Sequence, residues 1–108
     1  GLKGLENSKN KQSKNIKINY VTGEDTKLTW KSNKNEKYAW IRENRILFDS
    51  EQENNVFSNE KYIIINDKRD KSLIIKNLDK NDSGKYLIDI QSNPPHKIFF
   101  EITVDGIN

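Results

Sequence analysis

The chain contains no cysteine and only one histidine among its 108 residues. Without cysteine it can form no disulfide, no thiolate metal site and no cysteine nucleophile. A Ser–His–Asp arrangement would have to use His96, which follows Pro95 in a predicted turn, and the acidic pair Glu51 and Glu53 lies in a polar connection. No calcium-loop spacing occurs. We therefore predict that the protein is not an enzyme and takes no metal, no cofactor and no small-molecule substrate.

Long apolar runs are also missing. No stretch approaches the roughly 18 apolar residues of a membrane span, so we expect any membrane attachment to lie in a segment outside this chain. The chain opens on glycine without a visible signal peptide, which suggests a processed or excised fragment. Apolar residues make up only 32% of the chain, but they are grouped in short runs. This grouping indicates one folded domain with a very polar surface.

The net charge of +3 is unevenly distributed along the chain. Residues 1–37 contain nine lysines against four acidic residues, whereas acidic residues prevail in the remainder. A nucleic-acid-binding domain usually carries its basic residues on the folded face, interleaved with aromatic side chains. Here the excess lies in an N-terminal segment of Lys, Asn, Ser and Gln. We predict a flexible basic arm at residues 1–14, a single domain at residues 15–108, and no nucleic-acid partner.

Short runs with alternating apolar and polar residues predict β-strands along the rest of the chain. Polar turn sequences separate these runs at intervals of roughly 8 to 12 residues, and no helical periodicity exceeds one turn. This pattern predicts an all-β sandwich. The predicted strands lie at residues 16–20, 27–30, 38–42, 45–48, 62–65, 73–76, 85–91 and 97–104, with a short edge strand at residues 56 and 57.

A strand at residues 72–78, a tight turn and the sequence Asp82-Ser83-Gly84-Lys85-Tyr86 together predict a tyrosine corner. In this device a tyrosine hydroxyl near the start of a strand bonds to the backbone a few residues upstream. We expect Tyr86 to make that bond, and Asp82 to be a structural carboxylate paired with Lys61 rather than a catalytic acid. Asn81-Asp82-Ser83 is formally a glycosylation sequon, which we expect to be poorly used because Asp82 lies in its middle.

The order of these landmarks resembles a variable-type immunoglobulin domain. Trp40 stands where the core tryptophan of that fold lies, and Trp30 and Ile88 stand at its two cysteine positions. Burying two apolar side chains contributes about 1.5–3 kcal/mol each, which is comparable with the 2–4 kcal/mol of a typical disulfide. The resemblance implies a two-sheet sandwich with Greek-key topology. It also implies a core that includes Leu28, Trp30, Trp40, Leu73, Ile75 and Ile88.

A narrower resemblance comes from the missing cysteines together with Trp40-Ile41-Arg42-Glu43 and Lys97-Ile98-Phe99-Phe100. Over residues 16–104 the chain is similar to the N-terminal domains of the lymphocyte adhesion family, which includes the signalling lymphocyte activation molecules. In that family the corner pair is commonly Arg–Asp, so Lys61 is a departure. The resemblance implies an extracellular or cell-surface domain that binds another immunoglobulin-like protein, or itself as a homodimer. The abundance of Lys, Asn and Ile, which AT-rich codons encode, suggests a pathogen protein that mimics a host lymphocyte adhesion receptor.

Strand alternation then predicts which side chains could contact a partner. If Trp40 and Tyr86 point inward, Ile41, Leu87 and Phe99 lie together on the outer face, and an apolar centre with a charged rim is typical of protein interfaces. Two alternatives remain: the arm or a second domain covers this patch, or the chain is an intracellular structural module of a filament or scaffold. The predicted partner-binding residues are Ala39, Ile41, Glu43, Leu47, Lys85, Leu87, Asp89, Gln91, Lys97, Phe99 and Glu101.

Overall fold

The computed structural model of the protein describes residues 12–52 and 59–106. The predicted edge strand at residues 56 and 57 lies outside the described residues. Within the described residues, a single turn of 3₁₀-helix, Lys80–Asp82, precedes the seventh of eight strands. The strands are β1 (Gln12–Val21), β2 (Thr26–Leu28), β3 (Lys37–Arg42), β4 (Arg45–Asp49), β5 (Tyr62–Ile64), β6 (Leu73–Ile75), β7 (Gly84–Gln91) and β8 (His96–Asp105).

The strands form two sheets, which confirms the predicted all-β sandwich. The larger sheet has the order β1-β8-β7-β3-β4 and the smaller sheet has the order β2-β6-β5. β1 runs parallel to β8, and the other pairs are antiparallel. The chain crosses between the sheets after β1, β2, β4 and β6, as in a Greek key. β4 extends the larger sheet beyond β3, which is the position of the strand that a variable-type domain adds.

The N-terminal boundary differs from the predicted one. β1 pairs with β8 from Gln12 opposite His96 to Val21 opposite Asp105, so residues 12–14 belong to a strand and not to the arm. Their polar side chains gave no alternating signal because a strand ladder is built by backbone groups, and edge strands often carry polar and lysine side chains. Residues 1–11 of the predicted arm lie outside the described residues.

The core lies between the two sheets. Five of the six residues predicted for it, Leu28, Trp40, Leu73, Ile75 and Ile88, are fully buried. The Trp40 ring packs against Phe100 with 5.8 Å between ring centroids, and its indole N–H donates to the Lys71 carbonyl at 2.9 Å. The prediction that Trp40 and Tyr86 both point inward is therefore confirmed.

Trp30 is a correction to the predicted core. It is only partly buried and packs against the rim of the core cluster. Its ring meets His96 edge to face at 5.8 Å, so His96 begins β8 against an aromatic neighbour rather than lying in the predicted turn. An indole is far larger than a cysteine side chain, and β2 ends two residues earlier at Leu28. Of the two cysteine positions, Ile88 alone lies fully inside the sandwich.

Candidate protein-binding face

The outer face of the larger sheet carries a row of apolar side chains in register. Ile41 lies opposite Leu87, and Leu87 lies opposite Phe99. Ile46 lies opposite Ile41 on β4, and Asn15 of β1 ends the row beside Phe99. We call Ile46, Ile41, Leu87 and Phe99 the central row. The Ile46 side chain is 58% exposed, and the other three side chains are partly exposed.

Leu47 does not belong to this face, which corrects its predicted role. A β-bulge shifts the register between β3 and β4, so that Trp40 pairs with Phe48 while Ile41 pairs with Ile46. Leu47 has no partner across the ladder, and both it and Phe48 point into the core, with 2% and 6% exposure. An extra residue in a strand moves the following side chains to the other face. Sequence alternation therefore missed Ile46, which takes the outward position.

The other predicted face residues flank the central row. Lys85 and Glu101 lie opposite each other two residues to one side of it, and Asp89 and Lys97 lie opposite each other two residues to the other side. Ala39 lies beside Asp89, and Gln91 lies farther along β7, paired with Lys37. Glu43 lies in the hairpin turn between β3 and β4, with a φ of 54°. All seven are exposed or partly exposed.

The charges beside the central row make no ion pairs within the described residues. Lys85, Glu101, Asp89 and Lys97 form two cross-strand pairs of opposite sign, but none of them comes within ion-pairing distance of another charged group in residues 12–52 or 59–106. Farther out on the same sheet, charges do pair within the chain, as Lys37 does with Glu51 at 3.0 Å. Among the described residues, the four charges nearest the central row are thus available to a partner.

A polar cleft of about 770 Å³ opens at the loop end of the sandwich beside Tyr38, Asn66 and Lys71. Its polar groups bond to one another: the Tyr38 hydroxyl donates to Asn66 Oδ1 at 2.8 Å. The Lys71 ammonium donates to the carbonyl oxygens of Ser32, Lys34 and Lys68. Burial, aided by the negative charge of Asp70, raises the pKa of Tyr38 to about 12. These bonds tie the loops together.

Across the described part of the chain, no group of three histidine or acidic side chains could hold a metal ion. In residues 12–52 and 59–106, too, there is no helix with the length and apolar character needed to cross a bilayer.

No protein-family model matches the chain, and no curated protein matches its sequence. Solved structures do match. The extracellular domain of the voltage-gated sodium channel β4 subunit, described as a parallel homodimer with a role in cell–cell adhesion, superposes with a TM-score of 0.68 at 14% identity, covering 87% of this chain and 93% of that one. The first immunoglobulin domain of RIG-5, described as a homodimer, gives 0.66 at 24% identity, covering 83% and 90%.

A third match is to a fragment that is much longer than this chain. An I-band fragment of titin superposes with a TM-score of 0.61 at 19% identity, and the match covers 83% of this chain and 30% of the fragment. Together with the strand order, these likenesses show that the chain has the immunoglobulin-like sandwich fold.

Proposed function

We propose that this domain is an extracellular recognition and adhesion module that binds another immunoglobulin-like domain, or a second copy of itself, through the outer face of the larger sheet. The central row is the observation that carries the proposal. Four large apolar side chains lie in register across four strands, and charges that form no ion pair within residues 12–52 and 59–106 border them on both sides. An apolar centre within a charged rim is the usual anatomy of a protein interface.

The matching solved structures support the general part of this proposal, which is binding between immunoglobulin-like domains. Two domains of the same fold, from the sodium channel β4 subunit and from RIG-5, are described as homodimers. A protein-binding role also accounts for an exposed Ile46, which has no evident use in a monomer. The narrower proposals are that the chain belongs with the lymphocyte adhesion receptors and that it mimics such a receptor on behalf of a pathogen. They rest on the sequence resemblance and on the Lys-, Asn- and Ile-rich composition.

A second candidate function is that of an intracellular structural module in a filament or scaffold. The likeness to a titin I-band fragment favours it, as does a core that contains no cysteine. The two candidate functions predict different features in the complete gene. Tandem copies of this domain would favour the structural module, whereas a signal peptide and a membrane span would favour the adhesion module.

Binding measurements with matched surface variants test the proposal. The soluble chain is assayed by surface plasmon resonance against itself and against a panel of cell-surface immunoglobulin ectodomains. Ile41→Asp and Phe99→Asp should each abolish the binding seen with the wild type while shifting the melting temperature by only a few degrees. Ile63→Asp is the control, because Ile63 is 36% exposed and lies on β5 of the smaller sheet. The proposal fails if Ile41→Asp and Phe99→Asp both keep the wild-type binding, whatever Ile63→Asp does.

A further inference from the structure

We propose that the partner of this face is a second copy of the chain, packed face to face and antiparallel about a twofold axis along the central row. The inference rests on the proposed function, since it requires the outer face to be an interface. It adds the identity of the partner and the geometry of the complex. The arrangement of charge on the two sides of the central row carries it.

Opposite charges lie at equal distances from the central row on each of two strands. On β7, Lys85 lies two residues to one side of Leu87 and Asp89 lies two residues to the other side. On β8 the signs are reversed, because Glu101 lies opposite Lys85 and Lys97 lies opposite Asp89. The central row is therefore a line across which charge changes sign on both strands.

A twofold axis along this line makes the face complementary to itself. With such an axis, each strand of one molecule lies over the same strand of the second molecule. Residues on one side of the central row then face residues on the other side of the second molecule's central row. Lys85 then meets Asp89 of the second copy, and Glu101 meets Lys97 of the second copy. In an isologous interface each such contact occurs twice. The dimer would contain four contacts between opposite charges, and the central row would pack against itself with Ile46 covered.

The twist of the sheets does not disrupt these contacts. Packed sheets cross at about 30°, and two residues of strand span about 7 Å. At this crossing angle, a charged residue about 7 Å from the axis is displaced sideways from its partner by about 3–4 Å. A lysine side chain is long enough to span that displacement. Five strands that average about eight residues and are spaced at about 4.8 Å present a face of about 650 Å². That area reaches the lower end of the range for specific interfaces, about 600 Å² per partner.

A competing axis, parallel to the strands between β7 and β8, would also pair opposite charges. It would bring Lys85 against Glu101 of the second copy. However, it would place Ile41 over Asn15 and leave Ile46 beyond the edge of the other sheet, because β4 is the outermost strand on its side. The axis along the central row buries all four apolar side chains against apolar side chains. The hydrophobic gain therefore favours this axis.

Charge reversal in the full chain tests the geometry by sedimentation equilibrium. Lys85→Glu and Asp89→Lys should each weaken self-association by about tenfold or more, since each reversal creates two like-charge contacts. An equimolar mixture of the two variants should associate as a heterodimer with an affinity near that of the wild type, because the glutamate introduced in one copy then meets the lysine introduced in the other. Lys68→Glu, a reversal in an exposed loop, should leave association unchanged. Thermal melts establish that each variant is folded.

The remaining outcomes overturn the inference in distinguishable ways. If Lys85→Glu is rescued by Glu101→Lys and not by Asp89→Lys, the axis runs parallel to the strands and this geometry is wrong. If the wild type stays monomeric while Ile41→Asp abolishes binding to a different ectodomain, the second copy is wrong and the proposed function stands. If the wild type binds neither itself nor any ectodomain, both proposals fail.

Discussion

Arg42 Nη1 lies 3.8 Å from Oδ1 of Asp82, the buried carboxylate whose other oxygen lies 2.6 Å from Lys61 Nζ. The predicted pair of Lys61 and Asp82 is thus part of a cluster of one carboxylate and two cationic side chains. Arg42 also donates to the carbonyl oxygen of Ser83 and lies over the Tyr86 ring at 5.1 Å. A lysine at position 61 lacks the bidentate geometry of an arginine, and Arg42 supplies a second charge to the same carboxylate.

Replacing Asp82 with Asn should lower the free energy of unfolding by about 1.5–3 kcal/mol, the range for hydrogen bonds to charged groups. The change leaves Lys61 and Arg42 without their shared counter-charge. It also weakens the bond that Asp82 Oδ2 accepts from the Asp79 N–H at 2.9 Å. Urea denaturation at neutral pH measures the loss. Asp25→Asn is the control, because Asp25 pairs with Lys76 at the surface and should leave the midpoint nearly unchanged. Equal effects of the two variants would contradict a structural role for the cluster.

Replacing Tyr86 with Phe should lower the unfolding free energy by about 0.5–1.5 kcal/mol, the net value of one hydrogen bond. The Tyr86 hydroxyl donates to the Asp82 carbonyl at 2.8 Å, and both the ring and the bond are buried. The phenyl ring keeps the packing, so the loss reports the hydrogen bonding of the hydroxyl, which includes the corner bond and an interaction with Tyr62. Urea midpoints at a constant denaturant slope provide the measurement. An unchanged midpoint would show that the bond contributes nothing to stability.

The neighbouring residues Ile46 and Leu47 should respond to substitution in opposite ways. Leu47→Ala removes a buried side chain and should cost about 2–5 kcal/mol of stability, with binding retained by the folded fraction. Ile46→Asp should leave the melting temperature within a few degrees and weaken partner binding. Thermal melts and surface plasmon resonance on both variants test the bulge. If Leu47→Ala were the variant that abolished binding without loss of stability, the inward placement of Leu47 would be wrong.

The sequence predicted those parts of the fold that depend on local alternation. β3, β7 and β8 are regular where they pair, so alternation assigned Trp40, Ile88, Ile41, Leu87 and Phe99 to the correct faces. The corner was predictable because its motif fixes a local hydrogen bond between Tyr86 and Asp82.

Other features depend on contacts between distant segments, and alternation could not predict them. The bulge at Leu47 is set by how β4 pairs with β3, and the start of β1 is set by backbone pairing with β8. Trp30 is only partly buried and packs against the core cluster, a placement that its alternation with Leu28 did not reveal. The role of Arg42 in the corner appears only once the β3–β4 hairpin is placed beside residue 82.

Stability should fall in alkaline solution as Tyr38 loses its proton. Burial raises the pKa of Tyr38 from 10.0 to about 12, so the folded state favours the neutral phenol. The unfolded chain loses this proton near pH 10. The contribution of this group is therefore complete below pH 10 and is lost as the pH rises toward about 12.

Urea denaturation at about pH 9 and about pH 11 should show this loss. Tyr38→Phe should reduce the slope of stability against pH in this range, although it lowers stability at neutral pH by removing the bond to Asn66. An identical slope in wild type and variant would show that the phenol titrates alike in both states.

Lys71 should hold together the loops at one end of the sandwich. It is 5% exposed, and its ammonium donates to the carbonyl oxygens of Ser32 at 3.1 Å, Lys34 at 3.3 Å and Lys68 at 3.1 Å. Lys71→Met keeps most of the length of the side chain and removes all three bonds. Relief from burying a charge offsets part of the loss, so global stability should fall by only about 1 kcal/mol.

Hydrogen exchange separates this local role from a global one. The Ser32 N–H donates to the Arg69 carbonyl at 3.1 Å across the same two loops. In Lys71→Met this amide should exchange about tenfold faster, a change that corresponds to about 1.4 kcal/mol of local opening. The exchange rates of amides in β7 should change only by the amount that the loss of global stability explains. Lys68→Met is the control, because it keeps the carbonyl that Lys71 uses and removes only an exposed ammonium. Unchanged protection of Ser32 in Lys71→Met would show that the loops are held by other contacts.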